Sequence, residues 1–195
     1  MLKDRALVHV RALRQNYDRW RLLRRLPQGG TCAEVGVWKG ENAAAILRTN
    51  KPRTLYLIDP WEHQPEYTKA MYGGRAAGQQ EMDAIHTAVE KRFAREVSDS
   101  RVHVWRLRSS DAAEKLRDVR LDWAWIDGDH TYEAVKADLE SFARVLAPGG
   151  YLAGDDYMLG WWGNDVIRAV DEFAAAHRCQ LDIIGSQHFL IKLNG

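Results

Sequence analysis

Cysteine is scarce in this sequence, with only Cys32 and Cys179 among 195 residues. The two stand far apart, and neither belongs to the CxxC or Cys/His spacing that is typical of a zinc or redox centre. We therefore expect reduced, buried thiols and no cysteine-based chemistry.

Long apolar runs are also absent. No run approaches the roughly 20 residues that a bilayer-spanning helix needs, and the first residues lack the uninterrupted apolar stretch of a secretory signal. We therefore expect no membrane span, and a cytoplasmic location is the default prediction.

Charge of one sign is not in excess. The 28 basic residues are balanced by 27 acidic ones, and a net charge of +1 gives no general reason to expect a nucleic-acid partner. Residues 1–25, however, hold eight basic and two acidic residues. A solvated helix face explains this most simply. The alternative is a surface for an anionic substrate or partner, as in a non-enzymatic, RNA-directed binding protein.

The length and the hydrophobic fraction of 46 % fit a single domain over residues 1–195. Apolar residues at spacings of three and four predict an amphipathic helix within residues 1–27, which could cover a pocket or pair with a second copy in a homodimer. Beyond it, strand-like runs alternate with helical patterns, and the last two runs have hairpin spacing. This alternation is typical of a three-layer α/β sandwich with a mostly parallel sheet.

The segment 61–80 lacks regular periodicity and combines glycines with aromatic residues. A loop of this length is typical of a functional lid. We expect aromatic side chains from this lid and from the strand ends to wall an acceptor pocket, since such walls suit a sugar or a planar molecule. The candidates are Trp38, Trp61, Tyr67 and Tyr157, with Tyr72, Trp161 and Trp162 beside them.

Two apolar runs end in acidic residues, Asp127 in IDGDH and Asp155-Asp156 in GDDY. A helix-length segment and the turn Pro148-Gly149-Gly150 lie between them, which predicts a strand, helix, strand unit. Because the carboxyl ends of parallel neighbours meet at one edge of a sheet, these carboxylates should lie together. They suit a hard divalent cation, and magnesium fits best. Alternatively, Asp155 or Asp156 caps the next segment.

His130 follows Asp127 by three residues, at the start of the predicted helix. An imidazole has a pKa near working pH and could take a proton from a substrate hydroxyl. The alternative is a structural histidine. Asp129 is predicted to point away and to act as a helix-start acid, which the helix dipole favours.

Polar residues also follow the first three strand-like runs. The turn Gly36–Gly40 lets the backbone approach a ligand. The GxGxxG motif is missing, which argues against the alternative of an NAD(P)-type oxidoreductase. Asp59 ends the second run, where an acid is either a ribose ligand or a solvated turn residue. The third run is followed by Ser109, Ser110 and Asp111, which could either bond an adenine edge or cap a helix.

The series Glu34-x-Gly36-x-x-x-Gly40, Asp59, IDGDHxY and PGG followed by GDDY resembles class I S-adenosylmethionine-dependent methyltransferases, over roughly residues 31–193. More narrowly, the IDGDH and GDDY pair resembles metal-dependent O-methyltransferases of the macrolide-sugar type and, more distantly, catechol O-methyltransferase. The sequence departs from many of these relatives at Trp38-Lys39, where they carry smaller residues.

This resemblance implies a seven-stranded sheet of order 3-2-1-4-5-7-6 with strand 7 antiparallel. It implies that the methionine part of S-adenosyl-L-methionine lies against Gly36, that its ribose lies against Asp59, and that Glu34 holds the turn or the cofactor's amino group. It also implies that His130 is the base. The activity implied is O-methylation of a small hydroxylated acceptor, such as a sugar or a vicinal diol. The predicted cofactor residues are Glu34, Gly36, Gly40, Asp59, Ser110, Asp111 and Asp127, and the predicted magnesium ligands are Asp127, Asp155 and Asp156.

Overall fold

The computed structural model of the protein describes residues 2–160 and 162–195, and side chains from residue 13 onward. Trp161, one of the aromatic candidates, lies outside the described residues. The helices are α1 Leu2–Leu23, α2 Glu41–Thr49, α3 Gln79–Arg92, α4 Ala94–Ser98, α5 Ser109–Lys115, α6 Tyr132–Ala143 and α7 Asp165–Ala176. The strands are β1 Thr31–Val35, β2 Thr54–Asp59, β3 Val102–Arg106, β4 Leu121–Ile126, β5 Leu146–Gly154, β6 Gln180–Ile184 and β7 His188–Lys192. Across these described elements, we find no helix with the length and hydropathy of a membrane span.

The strands form one sheet in the order β3-β2-β1-β4-β5-β7-β6. β1 to β5 pair in parallel, whereas β7 runs antiparallel to both of its neighbours, β5 and β6. The predicted strand order and the antiparallel last strand are therefore confirmed.

Helices cover both faces of the sheet, which confirms the three-layer sandwich. On one face, α1, α2 and α3 contribute buried residues that include Leu23, Ile46 and Val89. On the other face, α5, α6 and α7 contribute Ala112, Leu139 and Val170. A parallel sheet covered on both faces explains why β1 and β4 are nearly continuous apolar runs.

Two local predictions were wrong. The turn Pro148-Gly149-Gly150 lies inside β5, beside a register shift between β4 and β5, and the positive φ of Gly149 accommodates this irregularity. Apolar residues at intervals of four, Ile85, Val89 and Phe93, also predict one helix over residues 82–97, but it is divided, because Phe93 leaves the helical conformation between α3 and α4. Among the described side chains of α1, three large apolar or aromatic ones are exposed: Leu13, Tyr17 and Trp20.

Candidate active site

The strand register brings the residues that end four strands into one row. Val35 pairs with Ile58 on one side and with Ile126 on the other, and Ile126 pairs with Gly154. In a parallel sheet the residues that follow such pairs emerge at the same edge. They are Gly36 after β1, Asp59 at the end of β2, Asp127 after β4 and Asp155 after β5.

Gly36 lies where the backbone leaving β1 passes the backbone leaving β4. Its φ is +84°, and a Cβ atom there would lie 1.8 Å from the carbonyl oxygen of Asp127. Neither segment can move aside, because Gly36 donates its N–H to Ile58 at 2.9 Å and Asp127 donates its N–H to Val35 at 2.9 Å. Only glycine fits this position, and the bare backbone leaves space above the turn for a ligand.

The Asp59 carboxylate holds the two loops around it. It accepts the backbone N–H of Trp38 at 2.9 Å and that of Trp61 at 2.7 Å. Both tryptophans have a positive φ, +51° and +41°, a conformation that is strained for residues other than glycine and concentrates at functional sites. Burial raises the pKa of Asp59, although these backbone hydrogen bonds lower it. Any contact with a ribose would use the remaining lone pairs of the carboxylate.

Glu34 is fully buried in β1, and its side chain points towards the first turn of α2. Asn42 donates its amide N–H to Oε1 at 3.2 Å, whereas Oε2 has no hydrogen-bond partner among the described residues. Burial raises the pKa of Glu34 well above its usual range. An unpaired buried carboxylate oxygen is costly, and a bound ammonium group would supply the missing donor.

A cavity of about 610 Å³ opens beside this row, within the roughly 300–1,000 Å³ range of small-molecule sites. Its walls come from the strand ends, from the segment after β2 and from the starts of α5 and α6. The predicted site residues that line it are Gly36, Trp38, Asp59, Trp61, Tyr67, Ser110, Asp127 and His130.

Other predicted residues lie outside this lining. Gly40 directly precedes α2, and the Phe93 ring occupies the space beside it. Asp111 lines a neighbouring cavity together with Arg106 and Arg108. The Tyr157 hydroxyl donates to Asp171 at 2.8 Å. For these residues the predicted ligand contacts remain predictions.

Asp127, His130 and Asp156 form a cluster whose ligand atoms lie within 4.8 Å of one another. Nε2 of His130 is 3.6 Å from Asp127 Oδ1 and 3.1 Å from Asp156 Oδ2. Burial alone would lower the pKa of His130, but the two carboxylates raise it to about 10. Burial and the neighbouring acids raise the pKa of Asp127 to about 6. Two carboxylates and an imidazole are a donor set that a divalent cation can use, and a cation would compete for the carboxylate oxygens now beside the imidazole.

Asp155, another predicted metal ligand, contacts α1 and β7. Its Oδ1 lies 2.8 Å from His188 Nδ1 and accepts an N–H of Gln187 at 2.6 Å, while its Oδ2 accepts an N–H of Arg19 at 3.3 Å. Burial would raise the pKa of Asp155, but the contact with His188 lowers it. These bonds compete with a cation for Asp155, whose metal role remains a prediction. Sequence reasoning gave Arg19 and His188 no role, because both lie far from Asp155 in the chain.

Asp138 is a site residue that sequence reasoning missed. It lies on the inward face of α6, is 6 % exposed and lines the cavity. Burial raises the pKa of Asp138 to about 6, while a hydrogen bond with the Ser109 side chain lowers it. The available signal was an acid three residues after Val135 and next to Leu139, within the apolar stripe of the helix.

The raised pKa of Asp138 predicts a pH-dependent loss of stability. Because the native state binds this proton more tightly than the unfolded chain, the free energy of unfolding should fall as the pH rises from about 4 to about 6. We expect Asp138→Asn to be more stable than wild type by up to about 3 kcal/mol near pH 8, with the gain shrinking towards pH 4. Urea unfolding between about pH 5 and 8 measures this difference.

Glu133→Gln is the matched control, because Glu133 lies on the exposed face of the same helix. It should leave the free energy of unfolding within about 0.5 kcal/mol of wild type. A gain for Asp138→Asn that did not vary with pH would show that the buried charge is not its cause.

Comparisons with known proteins agree with this architecture. A family model described as a methyltransferase domain matches residues 33–157. An uncharacterized protein of Acanthamoeba polyphaga mimivirus is 26 % identical over 148 residues, which are 74 % of this chain and 59 % of that protein. The chain thus spans less than two thirds of the length of the curated relative it matches.

Two solved structures share the fold. The O-methyltransferase NovP superimposes with a TM-score of 0.60 at 22 % identity, over 91 % of this chain and 80 % of that one. An O-methyltransferase from Bacillus cereus in complex with SAH gives a TM-score of 0.61 at 13 % identity, over 100 % and 90 %. At these identities the likeness establishes the fold, which is that of class I S-adenosylmethionine-dependent methyltransferases. The chain belongs to the methyltransferase domain family.

The residues present fit the cofactor of that class. The turn at Gly36 has no side chain where a ligand must approach the backbone, and Glu34 offers a buried oxygen without a donor. Asp59 and Ser110 follow along the same cavity, at the ends of β2 and at α5. The methionyl group would therefore lie against the backbone of Gly36, the ribose against the carboxylate of Asp59 and the base against the hydroxyl of Ser110.

Proposed function

We propose that the chain is a single-domain O-methyltransferase that transfers the methyl group of S-adenosylmethionine to a hydroxyl of a small molecule, with the help of a divalent cation, most simply magnesium. The observation that carries this proposal is the cluster of Asp127, His130 and Asp156, within 4.8 Å, at the edge of a methyltransferase sheet. A hydroxyl is a poor nucleophile until its proton is removed, and a cation beside a base serves that purpose.

The cofactor would be held by the row of strand ends, with Gly36 at its methionine part and Asp59 at its ribose. S-adenosylmethionine supplies an electrophilic methyl group on a sulfonium centre. The chain's task is then to orient the acceptor oxygen in line with that methyl group and to exclude water. The segment 61–80 would serve as the lid, because Tyr67 and Tyr72 line the cavity from this segment.

Asp127 and Asp156 are proposed as the main cation ligands. Asp155 is the weaker candidate, because His188, Gln187 and Arg19 already occupy its oxygens. A cation held there would supply Lewis acidity towards the acceptor oxygen. It would also draw Asp127 and Asp156 away from the imidazole, which lowers the pKa of His130 so that the neutral ring could take the proton. The aromatic residues of the site favour a sugar or a vicinal diol as the acceptor.

The test is a methyl-transfer assay with S-adenosylmethionine and a panel of sugars and vicinal diols, run before and after chelation and again after magnesium is restored. We expect transfer to a hydroxyl that chelation abolishes and magnesium rescues. Full activity in chelated protein would exclude the cation, and transfer to nitrogen alone would exclude O-methylation. Titration with NADH in place of S-adenosylmethionine tests the oxidoreductase alternative, which membership in the methyltransferase family does not favour.

Replacing His130 by alanine should lower turnover about 10²-fold or more, because the acceptor would lose its base. Affinity for S-adenosylhomocysteine, measured by calorimetry, should stay within about twofold. His177→Ala is the control, since His177 pairs with Glu140 at the end of α7 and should keep full turnover. If the His130 variant turned over like wild type, His130 would not be the base.

A further inference from the structure

The first helix reaches the end of β5 through two polar side chains, Gln15 and Arg19. They are one turn apart in α1 and therefore lie on the same face of the helix. Arg19 donates an N–H to Oδ2 of Asp155 at 3.3 Å, and Gln15 donates to the side-chain oxygen of Gln187 at 2.7 Å. The basic residues of this segment thus do not all belong to a solvated face, because the side chain of Arg19 is only 22 % exposed.

The buried carboxylate of Asp155 is occupied by groups of the protein. Besides the contact of Oδ2 with Arg19, Oδ1 lies 2.8 Å from His188 Nδ1 and accepts an N–H of Gln187 at 2.6 Å and the backbone N–H of Asp156 at 2.8 Å. A carboxylate has about four acceptor positions, so these four contacts use them. A cation could bind Asp155 only if one of these contacts were broken.

Asp156, the next residue, has a backbone conformation that needs support. Its φ is +60°, which is unfavourable for residues other than glycine unless neighbouring groups hold it. The hydrogen bond from its N–H to Oδ1 of Asp155 provides this support. With the backbone held in this way, Oδ2 of Asp156 lies 3.1 Å from Nε2 of His130. The direction of the Asp156 side chain therefore depends on where the Asp155 carboxylate is held.

We propose that Arg19 and Gln187 are positioning residues for the cation site: they hold the carboxylate of Asp155, which in turn fixes the turn that directs Asp156 towards His130. This inference rests on the proposed cation site. Asp155 then acts through Asp156 and is not itself a ligand. Groups that orient a metal ligand from behind change metal affinity about 10- to 100-fold when they are removed. Through Arg19, α1 is a part of the active site.

The experiment measures magnesium binding to the full chain by calorimetry, with S-adenosylhomocysteine present. Arg19→Ala should weaken magnesium binding about tenfold, although the loss of a positive charge near a cation site would by itself tighten it. Arg19→Lys should restore most of the affinity, because a single contact with Asp155 can be made by an ammonium group. Arg14→Ala removes an arginine of the same helix whose side chain is 77 % exposed, and it should bind magnesium like wild type.

Gln187→Met tests the same inference without a change of charge. It removes the N–H that Asp155 accepts at 2.6 Å and keeps a side chain of similar length, so magnesium binding should again weaken about tenfold. Affinity for S-adenosylhomocysteine should stay within about twofold in this variant and in Arg19→Ala, because neither residue belongs to the described lining of the cofactor cavity.

The outcomes separate this inference from the proposed function. Unchanged magnesium affinity in either folded variant would overturn the inference, since a purely structural contact between α1 and β5 lowers the unfolding midpoint and leaves magnesium affinity as it was. Tighter binding by Arg19→Ala would also overturn it and would identify Asp155 as a ligand that Arg19 had occupied. Absence of magnesium binding by wild type would overturn the proposed cation site, and this inference with it.

Discussion

Asp127→Ala should lower turnover about 10³-fold, which corresponds to about 4 kcal/mol of transition-state stabilisation. Asp127 has the central place in the site: it follows β4, lines the cavity, lies 3.6 Å from His130 and belongs to the cluster with Asp156. Its loss would remove a proposed cation ligand and a carboxylate that lies beside the imidazole. The protein should remain folded, because burial raises the pKa of Asp127 and an ionised acid there costs stability.

Two further variants identify the cause of this loss. Asp127→Asn keeps the shape and removes the charge, so it should lose nearly as much turnover and show weaker magnesium activation. Asp118→Ala removes an exposed acid near the end of α5 and should behave as wild type. Turnover by Asp127→Ala equal to that of wild type would refute both the cation site and the proposed role of this strand end.

Gly36→Ala should destabilise the protein by about 3 kcal/mol or more and abolish cofactor binding. A Cβ atom at this position would overlap the Asp127 carbonyl oxygen at 1.8 Å. Relief would require breaking the hydrogen bonds that tie Gly36 to β2 and Asp127 to β1. The expected cost combines a strained positive φ with overpacking against backbone, each worth about 1 to 3 kcal/mol.

Gly29→Ala provides the matched control. Gly29 also has a positive φ, +69°, but nothing lies within 4 Å of an added Cβ. It should therefore lose only about 1 kcal/mol, the cost of the backbone conformation alone. Urea unfolding of both variants, with calorimetry of S-adenosylhomocysteine binding, measures the contrast. Equal losses in the two variants would show that the contact between the ends of β1 and β4 is not tight.

Much of the fold could be predicted because it depends on local chemistry. Alternation of apolar runs with helical patterns identified the sandwich, and hairpin spacing marked the antiparallel last strand. Boundaries were less reliable where two interactions compete: the glycines of residues 148–150 are typical of a turn, yet they extend β5 because its pairing with β4 tolerates an irregularity. The spacing of apolar residues in α1 likewise predicts a helix face, but it does not determine how much of that face is buried against the rest of the protein.

The sequence by itself determined that acids and a histidine follow neighbouring strands. Apolar runs mark where each strand ends, and the helix-length segment between two such runs indicates that the strands are parallel neighbours. Only the tertiary structure decided which way each side chain points. Consecutive residues after β5 diverge: Asp156 lies beside His130, while Asp155 contacts Arg19 and His188, which approach it from distant parts of the chain. Asp138 faces a cavity for a similar reason, because α5 and α6 pack together around it. Contacts between residues far apart in sequence depend on packing, and no local spacing encodes them.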